Sequence, residues 1–131
     1  MPSTFEHLRD NVHLNDLCEQ TNCRNVGVGK EQSSLQFTAD SGAENRVLRD
    51  AGSNRGIEVP VVTLDGLYTE KCTPDDVLVV KVDVEGWEAD VLRGADQVLS
   101  RSAPTALIVA LDGSGSRYGF DDGAAHNYCR P

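Results

Sequence analysis

Nothing in this sequence approaches the ~18 consecutive apolar residues that a membrane-spanning helix needs, so a membrane protein is not expected. The first ten residues, Met1 to Asp10, lack the apolar core of a secretion signal, and the default expectation is a cytoplasmic protein. Basic residues are scarce: 12 Lys and Arg stand against 21 Asp and Glu, a formal net charge of −9. That balance argues against a nucleic-acid partner, because phosphate backbones are held by clustered Lys and Arg. It argues equally against an anionic membrane surface. No Cys-x-x-Cys occurs, and Cys18, Cys23, Cys72 and Cys129 match no zinc-ligand spacing. No metal site is expected, and the cysteines are expected to be reduced thiols. Internal repeats and low-complexity segments are also missing.

What is present fits one domain. A chain of 131 residues is long enough for a real core but not for two. Ser3-Thr4-Phe5-Glu6 has the form of a capping box, and Phe5, Leu8 and Val12 follow at helical spacing. A helix is expected over 4–15. Short strands are expected over 24–28 and 34–38, from alternating apolar residues. The stretch 39–56 reads as a loop, with one helical turn near Asn45 to Leu48. Ile57 to Leu64 is β-branched but holds Pro60, which predicts an edge or short strand. Asp65 is expected to cap a brief helical turn through Tyr68.

The strongest apolar run is Val77-Leu78-Val79-Val80-Lys81-Val82, and such a run suits a parallel strand covered on both faces. A helix is expected over 86–99, with Trp87, Val91, Ala95 and Val98 near one face. A second buried strand is expected over 106–111. Strand, helix, strand in that order makes a βαβ unit and places the chain in the α/β class. After Asp112 an irregular tail is expected.

Ligands of open α/β sheets bind beyond the carboxyl ends of the strands. The first such end is Lys81-Val82-Asp83-Val84-Glu85-Gly86. Side chains alternate along a strand, so Lys81 and Asp83 share a face. A lysine in an apolar run must be paired or reach water, and Asp83 is its nearest partner. Two carboxylates and an ammonium at a strand end suit catalysis. The same pattern suits a lysine that extends to solvent and an aspartate that caps the next helix. The residues alone leave both readings open. His7, His13 and His126 are scattered and read as surface histidines. Gly113-Ser114-Gly115 reads as a plain turn, and Trp87 as core packing.

The segment from Val79 to Glu88, followed by Val91-Leu92-Arg93-Gly94-Ala95, resembles the signature of FkbM-like S-adenosylmethionine-dependent methyltransferases. There an apolar strand leads into Lys-(apolar)-Asp-Val-Glu-Gly-(aromatic)-Glu and a Val-Leu-x-Gly-Ala helix. Val61-Val62-Thr63-Leu64-Asp65 and Asn25-Val26-Gly27-Val28-Gly29 are similar to the segments before it, in the same order. The match covers about 2–111.

The resemblance implies a partial Rossmann-like class I methyltransferase fold, α/β with a mostly parallel sheet and flanking helices, spanning 1–131. It implies O-methyl transfer from S-adenosylmethionine to a hydroxyl of a small molecule or sugar. Asp83, Glu85 and Lys81 would serve catalysis, and Asn25, Val26 and Asp83 the cofactor. No segment here matches the family's Asp-x-Gly cofactor loop or its final antiparallel strands. The chain is therefore expected to be clipped at both ends and to bind the cofactor weakly or not at all. The alternative expectation is a non-catalytic remnant of such an enzyme.

Overall fold

The structure, a computed structural model, describes residues 2–38, 47–48, 56–103, 105–121, 123 and 128. The chain divides into two compact units: Met1–Gly27 with Ser34–Pro60, and Val28–Ser33 with Val61–Pro131.

In the first unit, helix α1 spans Pro2–Leu14. It starts before the expected capping box, so Ser3 lies inside the helix and Pro2 opens it. Proline suits that position because its missing N–H is one the first turn leaves unbonded anyway. The helix stops at Asp16, a non-glycine residue at φ 55°. Leu17 N donates to Val12 O and Asp16 N to His13 O, the two bonds of a Schellman stop.

Strand β1 is Gly27–Val28, shorter than expected from the alternation, and β2 is Ser33–Thr38. Phe37 bridges Val47 in antiparallel fashion, and Leu48 N donates to Gln36 O at 2.7 Å. Val47 and Leu48 are thus extended beside β2, not helical as expected. The rest of that loop lies outside the described residues.

Strand β3, Gly56–Val62, is the middle strand of the order β1-β3-β2. The expectation of an edge strand, drawn from Pro60, is corrected. A proline forfeits one ladder bond, and β1 offers only two residues of partner strand. Most of β3 therefore has no ladder to lose on that side.

In the second unit, α2 spans Leu64–Lys71. Its N-cap is Thr63, whose Oγ1 accepts from Gly66 N at 3.0 Å. Asp65 instead caps a different helix. Strand β4, Leu78–Val82, runs parallel to β5, Thr105–Val109, with Lys81 opposite Ile108. Between them the expected single helix is two: α3, Glu88–Arg93, and α4, Asp96–Ser100.

The break has a long-range cause. Gly94 O accepts from Asp65 N at 3.0 Å. The Asp65 carboxylate accepts from Gln97 N and Val98 N, both at 3.0 Å. A side chain at Gly94 would collide with the carbonyl of Gly29. The chain gives up one turn of helix so that an outside carboxylate can start a new one.

Val82, Val91, Leu92, Ala95 and Val98 are buried and belong to the core of this unit. The α/β class and the parallel β4–α3–α4–β5 unit are as expected. One continuous Rossmann-like sheet is not observed: the described strands fall into two small sheets. The strand β4 also lacks the expected cover on both faces. Val79 is 71% exposed and Ile108 on the neighbouring strand 55%.

Candidate functional site

The site is built where β4 runs out. Lys81 and Asp83 lie on one face of the strand end, and Lys81 Nζ donates to Asp83 Oδ2 at 2.8 Å. Both side chains are about half exposed or more. The lysine meets both conditions set by its apolar setting, since it is paired and it reaches water.

After Asp83 the chain turns sharply. Glu85 sits at φ 54° and Gly86 at φ 99°, two successive left-handed residues. For glutamate this conformation costs about 1–2 kcal/mol, and backbone strain of this kind is often found where function needs a fixed shape. Gly86 is required on two counts. Its φ suits glycine, and a Cβ there would lie 2.5 Å from Ser114 O. The Gly113-Ser114-Gly115 segment is therefore more than a plain turn: its backbone lies against the β4–α3 turn.

The end of β5 adds a second carboxylate region. Ala110 N donates to Val82 O at 2.9 Å, so the parallel ladder continues to the last residue of β4. Two residues on, Asp112 Oδ1 accepts from Ser114 N at 2.9 Å. That amide, above all, holds the Asp112 carboxyl below the usual carboxylate value. Gly113, at φ 87°, opens a 3₁₀ turn over Ser114–Tyr118.

Among the described residues beyond it, aromatic side chains gather at Trp87 and Arg93. Tyr118 and Phe120 meet Trp87 edge-on, with ring centroids 4.9 and 6.1 Å away. Arg93 stacks over Phe120 at 4.6 Å, and its Nε donates to Tyr128 Oη at 2.9 Å. No periodicity in the sequence marks these aromatics, because Tyr118, Phe120 and Tyr128 follow Asp112 without sustained helical or strand spacing.

Asn25 and Val26 precede β1 and belong to the first unit, whereas Lys81, Asp83 and Glu85 belong to the second. The first unit also holds an open groove of about 1050 Å³, lined in part by Phe5, Arg9, His13, Cys18 and Cys23. None of the five predicted site residues lines it. Among the described residues no cluster of side chains suits a metal ion, and no helix is long and apolar enough to cross a membrane.

A parallel strand ending in Lys-x-Asp-Val-Glu-Gly, a left-handed turn and a broken helix make up the parallel β4–β5 part of an α/β domain. The family model described as Methyltransferase FkbM domain matches residues 1–126, and the chain belongs to that family. No curated protein and no solved structure gives a significant match.

Proposed function

We propose that this domain takes part in methyl transfer from S-adenosylmethionine to a hydroxyl of a small molecule or sugar. The observation that carries the reading is the pair of acidic residues at the carboxyl end of β4, Asp83 half-exposed and Glu85 on the left-handed turn, in a chain of the FkbM family. Methyltransferases of this kind generally draw the methyl group from S-adenosylmethionine, whose sulfonium makes it a good electrophile.

The donor set fits that cofactor in charge. Asp83, Glu85 and Asp112 are acceptors suited to a molecule with a cationic sulfonium and an ammonium group. By family resemblance Asn25 and Val26 would serve the adenine. Displacement at a methyl carbon gains most of its acceleration from positioning. Asp83, hydrogen-bonded to Lys81 at 2.8 Å, would orient the acceptor hydroxyl or take its proton. Lys81 would hold the Asp83 carboxylate in place, and Glu85, on the left-handed turn, would offer a second acceptor.

A second reading is favoured by one observation. The bare face of the β4–β5 pair, with Val77 72% and Val79 71% exposed, suits a non-catalytic domain. Titration calorimetry of the chain with S-adenosylmethionine separates the two. Saturable binding, however weak, followed by label transfer from methyl-tritiated cofactor to a hydroxyl acceptor, is the result that the enzymatic reading requires. Absence of binding at millimolar cofactor would remove the enzymatic reading.

A further inference from the structure

The turn that carries Asp83 and Glu85 is held from inside the protein. Glu88, in the first turn of α3, is only 4% exposed. Its Oε1 accepts from Val84 N at 3.1 Å and from Gly86 N at 3.2 Å. These two amides flank Glu85, the residue at φ 54°. Burying a carboxylate is costly unless its charge is met, and here the partners are backbone amides of this one turn. A glutamate at the start of a helix can reach back to amides ahead of it, as in a capping box. Aspartate, one carbon shorter, has less reach for two amides placed two and four residues earlier.

We propose that Glu88 is a positioning residue for the site: it grips the amides on either side of Glu85 and so fixes the left-handed turn that presents Asp83 and Glu85. What the turn presents them for rests on the methyl-transfer reading; the grip itself does not. The opposite side of the turn is closed by the Ser114 carbonyl against Gly86. The turn is therefore clamped between a buried carboxylate and the backbone that follows β5. Glu88 itself is buried, so its action on a substrate is through the turn and not by contact.

The test uses the intact, isotope-labelled chain and residue-resolved amide hydrogen exchange. Ala110 N, bonded to Val82 O, and Leu99 N, bonded to Ala95 O, serve as internal controls. In Glu88→Ala, exchange at Val84 and Gly86 should quicken about tenfold or more, as expected for loss of a charge-assisted bond. The two controls should stay within about twofold, which is the scatter expected of sites uncoupled from the change. Glu88→Gln keeps an acceptor oxygen but not the charge. It should give a smaller rise, about threefold, since neutral bonds are roughly half as strong. Where the parent transfers methyl groups, turnover should fall in Glu88→Ala and recover in part in Glu88→Gln.

Should Glu88→Ala not fold, the selectivity of the rise in Glu88→Gln decides the question. The proposal is overturned if neither variant changes Val84 and Gly86 exchange, or if the controls quicken equally. A parent chain with no cofactor binding removes the methyl-transfer reading, and the exchange pattern still rules on Glu88.

Discussion

Asp83 and Glu88 stand five residues apart in one motif and live in opposite worlds. Asp83 lies in water beside an ammonium, while Glu88 lies 4% exposed against two backbone amides. The difference teaches that acids of one short motif can be placed in opposite settings. One lies open to solvent, and the other is buried against the amides of the turn. Solvent screens the exposed pair, so its loss should matter little to folding. The turn between them has no such freedom.

The sharpest way to break the contrast is at the turn. Gly86→Ala forces a Cβ to within 2.5 Å of Ser114 O at a φ of 99°. It should cost about 2–5 kcal/mol, from overpacking and left-handed strain together. Chemical denaturation checks this, and a change below about 1 kcal/mol would be incompatible with a clamped turn. Asp83→Asn should cost under about 1 kcal/mol in the same assay. It should nonetheless cut any methyl transfer about a hundredfold or more, within the usual worth of a general base. Equal loss of stability and turnover would erase the distinction between the two acids.

The smallest effect is at Asp112. Its folded-state value lies below that of the unfolded chain, chiefly because of the Ser114 amide. The ionised form thus favours the folded state, a contribution present above the ordinary carboxylate value and lost as pH falls through the depressed one. Asp112→Asn should therefore narrow the gap in stability between neutral and acid pH, by an amount read from melting curves at several pH values. Curves that keep the parent's acid dependence would remove Asp112 from the site's electrostatics.

Local pattern made part of this legible. The run that begins at Val77 is a strand over Leu78–Val82, it is parallel to the one that follows the helices, and Gly86 turns the chain out of it. The α1 region was also readable from its spacing. The features that escaped depend on partners distant in sequence. No periodicity reveals that Gly94 faces the Gly29 carbonyl, or that Asp65 starts a helix thirty residues later. Asp65 looked like a cap for its own helix because a nearby candidate hides a distant one. Pro60 misled because the proline rule assumes full-length neighbours, and β1 is two residues long. Glu88 escaped because burial of a charged residue cannot be inferred from its type. Continuous apolarity in β4 implied cover on both faces, yet one face of the strand is open.

The aromatic clasp has a practical corollary. The chain has a single tryptophan. Trp87 lies at the start of α3, one residue from the left-handed turn, with Tyr118, Phe120 and a buried indole nitrogen around it. Its emission is therefore a built-in gauge of this one corner of the molecule. Loosening the tail or the turn admits water to the ring and moves the fluorescence to longer wavelength, while events elsewhere leave the colour of the light unchanged.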